Sequence, residues 1–214
     1  MTRAQQRLKR AFDLIGAVVG LLLVGWLILI CWIAAALDTR ANGFFFQTRI
    51  GLHGKPFRIV KIRSMRRIPG HDSTVTTARD TRITRLGNLL RRAKLDELPQ
   101  LWNVLLGQMS FVGPRPDVPG YADALQGDAR RLLELRPGIT GPASCALRSE
   151  QELLAEAEDP EQYNDEVLWP AKVQLNLRYL DEYRFRLDLL LILATLFPSC
   201  ARWLGDFTKL DLPS

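Results

Sequence analysis

The chain has 214 residues, enough for one domain with a real core or for a smaller domain plus a membrane element. Its net charge of +6 is carried by 23 arginines and only 6 lysines, and arginine's planar fork suits bidentate phosphate contacts better than lysine's point charge. Cys31, Cys145 and Cys200 are far apart with no CxxC, which argues against a disulfide framework or zinc site and fits a reducing compartment. His53 and His71 are isolated loop residues, so histidine acid–base chemistry is not expected.

The basic surplus leaves three classes of partner open: a phosphorylated ligand, nucleic acid, or an anionic membrane surface. The first element in chain order bears on the third. Arg3, Arg7, Lys9 and Arg10 precede residues 14–37, a charge-free run of 24 residues between Asp13 and Asp38. At about 1.5 Å per residue such a helix is long enough to cross a bilayer core of about 30 Å. It is too long for the apolar part of a signal peptide, roughly 7–15 residues. The basic start favours a cytoplasmic N-terminus, and a straight span would then place everything after Asp38 outside. A helix that bends and returns to the same face avoids this, with Gly16, Gly20 and Gly25 as candidate bend points. The residues alone fit a spanning and a re-entrant helix equally.

Residues 42–67 mix aromatic and β-branched side chains with glycine breaks, and the alternation over 57–63 predicts short strands or a hairpin. Residues 69–78 read as a polar loop. Residues 81–93 predict a basic helix with Ile83, Leu86, Leu89 and Leu90 on one face. Between Arg49 and Arg92 twelve basic residues face only Asp72 and Asp80. The simplest account of that surplus is a surface resting on anionic headgroups.

A second apolar helix is expected over 98–106. Arg115, between Pro114 and Pro116, sits on a rigid loop, and residues 136–142 form another turn. The acidic helix after Ser149 reads as a solvated face. Residues 173–197 predict one long amphipathic helix. Its apolar end, from 189 onward, is too short to span, so it packs in the core or at the interface.

The chemistry concentrates in Lys94-Leu95-Asp96-Glu97-Leu98-Pro99-Gln100. Pro99 is tolerated only in a first turn, so a helix begins near Asp96 to Leu98. Its free N–H groups favour an ionised carboxylate and a bound phosphate. The plain alternative is that Asp96 is an N-cap. Adjacent residues on a helix face different ways, so Asp96 and Glu97 are expected to do different work.

Five stretches, taken in order, resemble one family: Lys9-Arg10-Ala11-Phe12-Asp13; Gly54-Lys55-Pro56-Phe57 with Lys61-Ile62-Arg63-Ser64-Met65; Leu95-Asp96-Glu97-Leu98-Pro99-Gln100-Leu101-Trp102-Asn103-Val104-Leu105; Met109-Ser110-Phe111-Val112-Gly113-Pro114-Arg115-Pro116; and Arg136-Pro137-Gly138-Ile139-Thr140-Gly141. They look like the monotopic phosphoglycosyl transferases, the bacterial sugar transferase family. The resemblance implies transfer of a sugar phosphate from a nucleotide sugar, usually a UDP-sugar, to polyprenyl (undecaprenyl) phosphate, releasing UMP, with Mg²⁺ required. Asp96 then takes the roles of nucleophile and metal contact. Glu97 orients it or assists deprotonation of the lipid phosphate, and Lys61, Arg91, Arg115 and Arg148 match the phosphate-contacting positions.

Two departures stand out. The usual Ser-Pro helix break is replaced by Val24-Gly25-Trp26, and Gln108 stands where an acidic residue is common. The implied fold is mainly α with a small β element. It combines an N-terminal re-entrant membrane helix with a compact cytosolic domain carrying interfacial amphipathic helices. Residues 1–38 would be the anchor, 39–200 the catalytic domain and 201–214 a tail. The implied partners are polyprenyl phosphate, a nucleotide sugar and membrane lipids, with no nucleic acid. A homo-oligomer is compatible with the sequence. The implied location is the cytoplasmic face of the bacterial inner membrane. The competing class is a membrane-tethered basic scaffold for anionic lipid, without catalysis.

Overall fold

The computed structural model describes residues 1–66 and 80–208, so the loop expected over 69–78, and His71 with it, lie outside the described residues. The described residues are mainly helical with two small two-stranded sheets. Helix α1 (Arg3–Thr39) opens on a capping box. Thr2 accepts from the Gln5 backbone while the Gln5 side chain returns to the Thr2 N–H, and the helix then runs 37 residues without interruption.

One face of α1 is exposed and apolar, through Leu22, Trp26, Leu29, Ile33 and Leu37. The opposite stripe, Lys9, Asp13, Ala17, Ile28, Cys31 and Ala35, is buried. The helical backbone is continuous through Gly16, Gly20 and Gly25, the candidate bend points. The first two glycines serve packing instead: a Cβ on Gly16 would lie 2.6 Å from the Phe111 ring, and one on Gly20 3.1 Å from Leu101.

The polar residues of the Lys9–Asp13 stretch all turn inward. Lys9 Nζ donates to Asp188 Oδ2 at 2.6 Å and to Tyr179 Oη at 3.2 Å. Arg10 donates to the carbonyls of Val104 and Leu105 at 2.7 and 3.0 Å. Asp13 Oδ1 accepts from Ser110 Oγ and Phe111 N, both at 3.0 Å. Burying these groups is tolerable because each finds a partner.

The expected hairpin is present as β1 (Phe44–Ile50) and β2 (Pro56–Ile62), antiparallel with Arg49 opposite Phe57 and Phe45 opposite Lys61. Directly opposed residues share a face, so Phe45, Gln47 and Arg49 point the same way as Lys61, Ile59 and Phe57. The basic helix is shorter than its pattern. Thr84 Oγ1 accepts from Gly87 N at 2.8 Å, which starts α2 (Arg85–Arg92) after Ile83. Ile83 bridges to Met65 instead, and Leu89 is exposed rather than on a buried face.

After α3 (Gln100–Leu105), the two loops expected around Arg115 and Pro137 hold a parallel pair, β3 (Ser110–Val112) with β4 (Gly138–Thr140). The backbones approach so closely that a Cβ on Gly138 would meet Gly113 N at 2.2 Å, which is why glycine stands there.

Short helices α4 (Pro142–Ala146), α5 (Glu150–Glu156) and α6 (Pro160–Tyr163) follow. The long helix expected over 173–197 is two, α7 (Trp169–Asp181) and α8 (Phe185–Leu196), parted by an extended Arg184. No glycine or proline marks the break, and its cause is tertiary. The turn lets Tyr179 and Tyr183 donate to Asp188 at 2.5 and 3.2 Å around the Lys9 ammonium. Leu191 and Ala194 of α8 join the core with Tyr179 and Val112, and Leu204 from the 3₁₀ segment Pro198–Thr208 packs there too.

Candidate active site

Lys94, in the left-handed region at φ 56°, turns the chain out of α2 into a 3₁₀ turn, Leu95–Glu97, that leads through Leu98 and Pro99 into α3. A lysine in that conformation is strained, and such strain concentrates at functional sites. Asp96 and Glu97 are both buried, at 8% and 7% exposure. Asp96 is not an N-cap, because its carboxylate accepts no backbone N–H and has no hydrogen bond or ion pair among the described residues. Its neighbour is the opposite case. Glu97 Oε1 receives both Lys61 Nζ from β2 at 3.1 Å and Arg115 Nη2 from the loop after β3 at 3.0 Å.

The two carboxylates are therefore electrostatically distinct. Burial pushes the Asp96 carboxyl above its usual value and the Glu97 charge adds to this, against Lys61, Arg91 and Lys94. Burial also pushes Glu97 up, but Arg115, Lys61 and Lys94 outweigh it and hold that carboxyl well below the usual range. Burial lowers the Lys61 ammonium, and Glu97 opposes the shift. Burial likewise lowers Arg91, and the Asp96 charge is the main opposing influence. The result is one ionised acid tied into cations and one unpaired acid among the same cations.

Asp96, Glu97, Lys61, Arg91 and Arg115 thus come together from β2, α2, the 3₁₀ turn and the β3 loop. Arg148 is exposed, and its guanidinium donates to the carbonyls of Cys145, at 3.3 Å, and of Ala194. Gln108 hydrogen-bonds Asn103 Nδ2 at 2.8 Å, and Asn103 in turn bridges Val60 N and Arg58 O on the free edge of β2, so Gln108 supports the hairpin.

Sequence reasoning missed Arg49 and Asp117. Burial pushes the Asp117 carboxyl up to about 6 despite Lys172, Arg49 and Arg115. Arg49 lies on the Lys61 face only by virtue of the β1–β2 register, which the sequence alone does not give. Asp117 follows a proline with no periodic signal.

Among the described residues no group of three or more His, Cys, Asp or Glu forms a ready-made metal cage. Asp96 nonetheless fits Mg²⁺, an ion that is commonly held by one or two carboxylates with substrate phosphates and water supplying the rest.

Comparison with known proteins gives a consistent result. A family model described as bacterial sugar transferase matches residues 4–202. The UDP-glucose:undecaprenyl-phosphate glucose-1-phosphate transferase of Escherichia coli (strain K12) is 38% identical over 202 residues, covering 89% of this chain and 39% of that protein. The uncharacterized sugar transferase EpsL of Bacillus subtilis (strain 168) is 36% identical over 189 residues, 88% of this chain and 85% of EpsL. The exopolysaccharide production protein PSS of Rhizobium leguminosarum bv. phaseoli is 34% identical over 209 residues, 92% of this chain and 98% of that one. The chain therefore spans under half of the first relative and most of the other two.

Proposed function

Because the chain belongs to the bacterial sugar transferase family, we propose that it transfers a sugar 1-phosphate from a UDP-sugar to polyprenyl phosphate such as undecaprenyl phosphate. The observation that carries this is the buried, unpaired Asp96 carboxylate set among Lys61, Arg91 and Arg115 beside a Glu97 that Lys61 and Arg115 hold.

In this mechanism an Asp96 oxygen attacks the sugar-side phosphorus and forms an acyl phosphate to the sugar phosphate. The bond from that phosphorus to the bridging oxygen breaks, and UMP leaves with that oxygen. An oxygen of polyprenyl phosphate then attacks the same phosphorus, giving polyprenyl-diphosphate-sugar and restoring Asp96. Lys61, Arg91 and Arg115 stabilise charge developing on the phosphates. Glu97 orients them. The pairing that keeps it ionised also makes it a weak base, which favours the orienting role over proton abstraction. Mg²⁺ held by Asp96 and the diphosphate would supply further charge neutralisation when bound.

Helix α1 supports a same-face topology by a different geometry from a bend. Its contacts with the domain run from Lys9, on Asp188, to Ala35, in a cluster with Ile62 and Leu90. Those 26 residues of helix span about 39 Å, more than the roughly 30 Å of a hydrocarbon core. A vertical α1 would pull the charged domain into lipid along its whole length. We therefore place α1 along the membrane boundary with its apolar stripe in lipid, the domain and N-terminus both on the cytoplasmic side. There a lipid-linked phosphate and a soluble nucleotide sugar can meet.

The test is UMP release from a panel of UDP-sugars in the presence of polyprenyl phosphate and Mg²⁺, with intact mass measured on donor alone. A sugar-phosphate adduct that disappears in Asp96→Asn is expected. Full turnover in Asp96→Asn would overturn the nucleophile assignment. In a background without the native cysteines, Gln5→Cys and Thr208→Cys should react with an impermeant reagent from the same side. Labelling from opposite sides would refute the topology.

A further inference from the structure

The loop that delivers Arg115 to Glu97 has the carbonyls on both sides of Arg115 held. Gly138 N donates to Pro114 O at 2.7 Å. Arg49 Nη1 donates to Pro116 O at 3.1 Å, and Ile50 N donates to Asp117 O at 2.9 Å. The rings of Pro114 and Pro116 fix φ near −65°, and the residues before them, Gly113 and Arg115, are biased to extended backbone. Little freedom is left in the direction Arg115 points. Two of these three contacts are backbone to backbone, and Arg49 is the side chain in the set.

Arg49 is a poor choice for stability alone. It is half-buried, its Nη2 is spent on Gln47 Oε1 at 2.5 Å, and its buried Nε has no hydrogen-bond partner. It also lies close enough to the like charge of Arg115 that burial and this neighbour lower it to about 10, with Asp117 and Glu97 in partial compensation. An unsatisfied buried donor beside a second arginine is unfavourable. What the guanidinium supplies in return is a hold on one peptide carbonyl, one residue beyond Arg115.

We propose that Arg49 is a positioning residue for the transfer reaction: it clamps the Pro116 carbonyl so that Arg115 meets Glu97 and turns its remaining N–H groups toward the substrate phosphates. Arg49 acts through Arg115 and does not touch substrate. Its place on the hairpin face that also carries Lys61 means that one hairpin sets both cations on Glu97, Lys61 directly and Arg115 through the clamp.

The kinetic part of this inference rests on the transferase reading, and the structural part does not. The experiment therefore has two arms, using wild type, Arg49→Ala, Arg49→Lys, Arg115→Ala and the Arg49→Ala/Arg115→Ala double variant in detergent or nanodiscs. In hydrogen exchange, peptides covering residues 110–118 should exchange faster in Arg49→Ala while peptides from α7 stay unchanged. In turnover, Arg49→Ala should lower kcat by about 10- to 100-fold, the scale of a misplaced reacting group. Arg49→Lys should recover part of the loss, and the double variant should be no slower than Arg115→Ala alone.

Unchanged exchange over 110–118, or losses that multiply in the double variant, would overturn the clamp. If Arg49→Ala fails to fold, Arg49→Lys carries the exchange comparison in its place. If wild type releases no UMP from any donor, the transferase reading falls while the exchange arm still decides whether Arg49 holds the loop.

Discussion

Replacing Glu97 by glutamine tests the division of labour between the two carboxylates. The substitution keeps shape and one acceptor oxygen but removes the charge that Lys61 and Arg115 share. A hydrogen bond to a charged group contributes about 1.5–3 kcal/mol and a neutral one about 0.5–1.5. Each contact should therefore weaken by about 1 kcal/mol, less for Arg115, whose side chain is 44% exposed and screened by water. Together these give about 1.5–2 kcal/mol of lost positioning, a 10- to 30-fold fall in kcat/KM. A second signature is independent of the first. Burial and then the Glu97 charge raise the Asp96 carboxyl, so removing that charge should move the acid limb of the kcat/KM profile to lower pH. Initial rates of UMP release between pH 4.5 and 8.5, with Glu97→Gln beside wild type, measure both. A fall of less than about threefold, under about 0.7 kcal/mol, with an unmoved limb would refute the reasoning.

Two further outcomes follow from packing and charge. Gly16→Ala drives a methyl to 2.6 Å from the Phe111 ring, which is already edge-on to Phe12, and should destabilise by about 1–3 kcal/mol. Gly25→Ala meets nothing within 4 Å and should stabilise by about 0.5–1 kcal/mol through helix propensity, so thermal midpoints that shift the same way for both would contradict the helix placement. Asp117, raised to about 6 from 3.8, holds its proton more tightly folded than unfolded. Stability is therefore full below the unfolded value and is lost as pH rises through about 6, by about 3 kcal/mol. Asp117→Asn should raise the unfolding midpoint at pH 8 and leave it unchanged at pH 4, and an equal shift at both would refute the assignment.

Elements with a strong local signature were legible in the sequence. The apolar run of α1 and the alternation bounded by Gly51 and Gly54 in the β1–β2 hairpin declare themselves through composition and period. The Asp96–Glu97 pair is also legible, because Pro99 dates the helix start and the surrounding arginines set the charge. What the sequence hid was long-range. Strands β3 and β4 have three residues each, too few for a period, and exist because Gly113 and Gly138 allow two backbones to touch. The break between α7 and α8 carries no glycine or proline. It forms because Asp188 must face Lys9, an element 179 residues away. Arg49 was one arginine in a basic run until pairing with β2 fixed its side, and the same pairing shows why Gln108 belongs to the hairpin.

The Lys9–Asp188 contact also sets an order of events during synthesis. A ribosome adding 5–20 residues per second needs roughly 10–35 s to make the 179 residues between the two. Throughout that interval the carboxylate that will pair with Lys9 does not exist. The buried Lys9 ammonium can therefore find its carboxylate partner only when α8 arrives. Helix α8 thus closes what α1 opens.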